Sequence, residues 1–167
     1  MSSLEIWELL SYVVTVFGFP FAFIVFMWEQ RKERQNEEEE IYQKLSDEYA
    51  NFSTVLLKNA DLHLMSEEIP EHDLSKEQKE RRKIIFDMLV SLFERAFILV
   101  YEDAMSAQTN RLWLTWDDYI RFWCKRTDFR LALPELLEGE DPEFRNYILR
   151  VSREVELGHR PTFKSAK

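Results

Sequence analysis

Residues 9–28 read LLSYVVTVFGFPFAFIVFMW, twenty consecutive positions without a charged side chain. No other feature limits the fold of this chain as tightly. A helix rises about 1.5 Å per residue, so a run of this length covers the roughly 30 Å hydrocarbon core of a bilayer. Trp7 and Trp28 bracket it, at the depths where an indole keeps its N–H among the headgroups and its ring against the chains. A buried core helix of a soluble protein is the competing reading, but such helices are seldom apolar on every face for so long. A cleaved signal peptide would want a basic start and a small-residue cleavage site, whereas Glu5 and Glu8 stand here. The stretch predicts one transmembrane helix anchored by Trp7 and Trp28.

Directly after the span comes Glu29-Gln-Arg31-Lys32-Glu33-Arg34, while no basic residue precedes it. Lys and Arg concentrate on the cytoplasmic flank of a span, so the expected placement is single-pass in the inner membrane, N-terminus outside and the rest cytoplasmic. Within the span, Glu8, Ser11, Thr15, Gly18, Ala22, Val25 and Glu29 succeed one another at alternating spacings of three and four and share one helix face. Small residues let helix backbones approach closely, which is how membrane helices associate once burial from water no longer drives them. Ser11, Thr15, Gly18 and Ala22 are therefore the expected seam of a homo-oligomer. Glu8 and Glu29, at the two ends of the same stripe, would ring the mouths of any pore it encloses.

Only three glycines and five prolines punctuate the chain, too few for the many tight turns of a sandwich or barrel, so the whole reads as all-α. The expected division is residues 1–36 as span and connector, 37–160 as a cytoplasmic bundle of four to five helices, and 161–167 as a tail. Ile41, Leu45, Tyr49, Phe52 and Leu56 predict an amphipathic helix from about Glu37 to Asn59, with the acidic run at 37–40 suiting its N-terminus. Residues 62–74 contain Pro70 and no clear period, so they read as a loop. Ser75 with Gln78 forms a capping box. A long helix then runs to about Met105, carrying Ile85, Met88, Leu89, Leu92, Phe93, Ala96, Phe97 and Val100 inward. Thr115 with Asp118 predicts the next start, with Trp116, Tyr119 and Trp123 on one core face, and a short helix broken at Pro134 comes after it. Asp141 and Pro142 open the last helix, Phe144, Tyr147, Ile148 and Val151 face inward, and Gly158 ends it.

The composition also narrows the chemistry. A formal charge of −9 argues against nonspecific nucleic-acid binding as the main task. The excess is uneven: residues 29–80 hold seven basic against fifteen acidic side chains, residues 119–167 ten against eight, so an anionic partner would meet the C-terminal third. A single cysteine, Cys124, allows no internal disulfide or multi-cysteine metal site and reads as packing. No glycine-rich phosphate loop or nucleophile elbow is present. His63 and His72, nine residues apart in a polar loop, match no established ligand spacing and read as surface residues. No metal and no cofactor is expected.

Arg153-Glu-Val-Glu-Leu-Gly-His159, near the end of the last helix, resembles the signature of HEPN domains, all-α bundles in which an arginine and a histidine paired across a dimer cleave RNA. That resemblance implies Arg153 and His159 as a metal-independent catalytic pair, the histidine moving the ribose hydroxyl proton and the arginine stabilising phosphorane charge. The layout as a whole, an N-terminal membrane helix, a basic then acidic connector and a bundle ending in a degenerate Arg…His signature, resembles the small membrane accessory proteins of type VI-B, RNA-targeting CRISPR systems. This implies a homo-oligomeric membrane pore that strengthens antiviral defence beside an RNA-guided effector protein, with a HEPN-like domain that need not be a nuclease. The string from Trp113 to Trp123, WLTWDDYIRFW, is also similar to uncharacterised bacterial membrane-anchored helical proteins and implies no activity. Two functions are therefore expected in competition: a non-enzymatic oligomeric effector whose partners are lipid, its own copies and the RNA-guided protein, and a membrane-tethered ribonuclease acting on RNA.

Overall fold

The computed structural model of the chain describes Trp7 and residues 18–158, Glu67 excepted. Among the described residues there are five α-helices and no strand, so the fold class is all-α: α1 Phe19–Lys58, α2 Lys76–Val100, α3 Ala107–Cys124, α4 Thr127–Leu136 and α5 Pro142–Glu156. Contacts divide the chain into two compact units, Met1–Ile41 and Tyr42–Lys167. In the first, the described part of α1 keeps every classified side chain from Phe19 to Glu40 exposed. In the second, α2 packs against α3, α4 and α5, and α3 against both α4 and α5.

Helix α1 starts well before the expected Glu37. Between Trp28 and Glu37 there is neither glycine nor proline, and Glu, Gln, Arg and Lys propagate a helix readily, so nothing ends it. The acidic run at 37–40 consequently lies inside the helix. From Leu45 the amphipathic pattern takes hold, with Leu45 and Phe52 buried.

The Ser75 capping box forms as expected, Ser75 Oγ accepting from Gln78 N at 3.2 Å and Gln78 Oε1 from Ser75 N at 3.0 Å. Helix α2 ends at Val100 rather than near Met105, because Tyr101 turns to extended backbone and stacks its ring on Phe97 at 4.5 Å. Met88, expected inward, is exposed. Helix α3 then begins at Ala107, eight residues before Thr115: Ser106 Oγ accepts from Thr109 N at 3.1 Å and caps it. Pro134 does not break α4. It lies in the last turn, where one lost backbone donor is outweighed by burial of Leu133, Leu136 and Leu137. Asp141 caps α5 as expected, Oδ1 accepting from Glu143 N and Phe144 N at 2.9 Å each, and Gly158 lies just beyond it at φ +69, a conformation that costs glycine little.

The core is built from two aromatic clusters. Tyr49, Phe52, Phe86, Trp116, Trp123 and Phe129 join α1, α2, α3 and α4, with Tyr49 stacked on Tyr119 at 4.2 Å. Phe97, Tyr101, Trp113, Phe144 and Tyr147 join α2, α3 and α5. Offset and edge-on rings of this kind each add about 0.5–1.5 kcal/mol beyond their area.

Candidate membrane anchor and polar sites of the bundle

The described end of the apolar stretch is unlike any other surface of the chain. Phe19, Phe21, Phe23, Ile24, Val25, Phe26, Met27 and Trp28 are all exposed, and at 100° per residue they cover the whole circumference of α1. A water-facing surface rarely carries so continuous an apolar patch. Trp28 is the boundary residue, with Lys32 Nζ 5.9 Å from its ring centroid and Glu29, Arg31 and Lys32 exposed just beyond. Of the expected seam, Gly18 and Ala22 stand four residues apart here, while Ser11, Thr15 and Glu8 lie outside the described residues. Trp7 is exposed. Among the described residues no helix is long and apolar enough to cross a membrane; positions 9–17 of the stretch fall outside them.

The bundle holds its charge in networks whose long-range members no sequence pattern signals. Asp117, 1% exposed, accepts from Tyr147 Oη at 2.5 Å and from Arg121 Nε at 2.6 Å. Arg121 Nη2 reaches Glu154 at 2.9 Å, so the network ties α3 to α5. Burial, and then the Asp117 carboxylate beside it, push the Tyr147 phenol well above its ordinary range. Asp117 and Tyr147 are packed away from solvent, and the network works as a fastening. Arg153, next to Glu154, is exposed on α5, and its expected partner His159 lies outside the described residues. The single cysteine, Cys124, is buried, which pushes its thiol up to about 12.

A second network fastens the loop at 60–74. Arg126 Nη1 donates to the carbonyls of His63, Leu64 and Ser66 at 3.2, 3.1 and 3.3 Å, while its Nε and Nη2 hold Asp128. Arg82 bridges Asp128 and Glu71. Glu68 accepts from Thr127 N and Asp128 N at 2.7 and 3.1 Å, capping α4 from across the loop. His63 takes the left-handed conformation, φ 52, at this turn. Arg126 is a residue whose role no local pattern announces, since the carbonyls it holds are sixty or more positions away. Among the described residues no group of three or more His, Cys, Asp or Glu side chains is placed to hold a metal ion.

A third cluster lies where Glu94 and Glu140 meet the start of α5. Glu94 Oε1 accepts from Asp141 N at 2.5 Å. The hydrogen bond from Glu140 to Glu94, then partial burial and the nearby charges of Glu94 and Asp87, raise the Glu140 carboxyl to about 7.

Compared with protein-family models, curated proteins and solved structures, the chain matches none.

Proposed function

We propose that the chain is a membrane-anchored, homo-oligomeric helical effector, its apolar stretch in the inner membrane and its HEPN-like bundle on the cytoplasmic side. The observation that carries this reading is the apolar surface at residues 19–28, exposed on every side of α1. Among the described residues nothing covers these eight large apolar side chains, and lipid would satisfy all of them while α1 satisfies its own backbone. The three basic residues after Trp28 favour a cytoplasmic placement for the bundle. Copies associate through Ser11, Thr15, Gly18 and Ala22 around an aqueous path, with Glu8 and Glu29 at its ends favouring cations. The resemblance to type VI-B accessory proteins makes permeabilisation during RNA-targeting defence the output, with an RNA-guided effector as partner.

The test is membrane depolarisation, read with a potential-sensitive dye, in cells making the chain together with an activated RNA-guided effector. Depolarisation by the parent chain and its loss in Gly18→Leu and Ala22→Leu, but not in Phe23→Leu, is the expected result. A parent chain that oligomerises yet never depolarises cells removes the pore and leaves the seam as an assembly device.

A ribonuclease reading is favoured by the exposure of Arg153, which leaves its guanidinium reachable by a phosphate. It requires that Arg153→Ala and His159→Ala each abolish cleavage of RNA by purified protein without unfolding the bundle. Protein that never cleaves RNA, alone or with its partner, eliminates it.

A further inference from the structure

Helix α2 presents solvent with a stripe that is nearly symmetric about its centre. Ser91, half-buried, lies at the middle; Asp87 and Arg95 stand four residues to either side, and Ile84 and Ile98 seven residues to either side. Ile84, Met88 and Ile98 are exposed, Ile98 to 60%, although they share a helix whose other face is entirely core. At 100° per residue, Ile84 and Ile98 fall within about 20° of the Ser91 direction and Asp87 and Arg95 within about 40°, so all five share one seam.

We infer that this face is a two-fold interface, its occupant α2 of a second copy running antiparallel and crossing at Ser91. A two-fold axis through Ser91 maps each residue onto its mirror position in the stripe, which is the condition for an isologous contact. Asp87 then meets the partner's Arg95 and Arg95 the partner's Asp87, while Ile84 packs on the partner's Ile98 at both ends. Charge complementarity chooses the direction: a parallel pair would set Asp87 on Asp87 and Arg95 on Arg95. Ser91 is small enough for close approach at the crossing. Arg95 already holds Glu48 through Nη1 at 2.6 Å, and its guanidinium has further donors for a second carboxylate. The centre of the stripe is itself one wall of a groove of about 410 Å³, in which Asp87, Ser91 and Arg95 face Glu48, Asn51 and Val55 of α1, so the incoming helix seats against α2 along this groove. This contact involves no residue of the membrane stretch and stands apart from the proposed pore.

The experiment uses the full chain in detergent, with Ser91→Cys as a probe of proximity under mild oxidation; buried Cys124 stays silent. Ser91→Cys is expected to form a covalent dimer, and Ile98→Glu in that background to lower the yield roughly tenfold. Asp87→Arg and Arg95→Asp, each alone, place like charges opposite one another twice and lower it as well. Mixing those two single variants restores cross-linking, because each supplies the sign the other lacks, and this recovery also shows that both are folded. Gly18→Leu leaves the Ser91 cross-link unchanged, so loss of the membrane seam is told apart from loss of this one. The inference is overturned if Ser91→Cys fails to cross-link, or if the single charge reversals cross-link as well as the parent.

Discussion

Phe23 and Phe52 belong to the same helix, and their surroundings differ completely. Phe52 is 4% exposed, edge-on to Trp123 at 5.9 Å, and Phe23 is 62% exposed with apolar neighbours on every side of α1. From Leu45 onward the helix alternates core and solvent at helical spacing, as a helix in a water-soluble bundle must. Over residues 19–28 it alternates nothing. A single secondary structure thus carries two apolar patterns, and the difference lies wholly in the periodicity of the apolar residues.

The largest effect that sharpens this contrast is truncation of the two rings. Phe52→Ala is expected to cost the bundle about 3–5 kcal/mol through lost burial and the cavity left behind, read by urea unfolding monitored through tryptophan fluorescence. Phe23→Ala is expected to leave that midpoint unchanged. Equal losses would mean that residues 19–28 are part of the bundle's core and would break the comparison.

Next in size is the polar network that adds to the aromatic contacts between α3 and α5. Asp117→Ala leaves the Tyr147 hydroxyl without its acceptor and Arg121 with Glu154 as its remaining anion, a loss of about 3 kcal/mol. Tyr147→Phe removes one hydrogen bond and is expected to cost about 1 kcal/mol. The same urea titration checks both, and their order is the point: if Tyr147→Phe costs as much as Asp117→Ala, the hydroxyl hydrogen bond and not the Asp117–Arg121 ion pair holds α5.

The smallest effect is a pH dependence. With Glu140 raised to about 7 by its hydrogen bond to Glu94, by partial burial and by neighbouring charge, its contribution is complete below the ordinary carboxyl range. It is lost as pH rises through about 7, where two carboxylates are forced together. Glu140→Gln keeps a hydrogen bond at every pH, so its melting temperature should match the parent near pH 4.5 and exceed it at pH 8. A difference that does not change between those two pH values would remove the carboxyl pair from the account.

Much of the bundle was legible from local chemistry. Ser75 with Gln78, and Asp141 with Pro142, are signals confined to four residues, and both helices begin where those signals stand. The inward faces of α2 and α5 come from spacing alone, with Met88 as the exception that turned outward. Starts without a strong local signal were misplaced. The end of α2 and the start of α3 both lie earlier in the chain than spacing predicts, because Tyr101 leaves the helix to stack in a long-range aromatic cluster and Ser106 caps without an acidic partner. Arg126, Glu68 and the Asp117 network escaped entirely. Their long-range partners, the carbonyls held by Arg126, the amides held by Glu68 and the Tyr147 hydroxyl on Asp117, are thirty or more residues away, and no periodicity encodes a contact that exists only once the helices have packed. Of the proposed pair Arg153 and His159, the spacing was legible while the surroundings were not: Glu154 between them is committed to Arg121.

The proposal that α1 serves two solvents is tested most directly by washing membranes from cells producing the full chain with alkaline carbonate, then floating them on a density gradient. The parent chain should resist the wash and float with the lipid, while a variant carrying Phe19→Glu and Val25→Lys should leave the floating fraction with its bundle still cooperatively folded. Recovery of the parent chain as folded, freely dispersed protein that neither pellets with nor floats on lipid would contradict it.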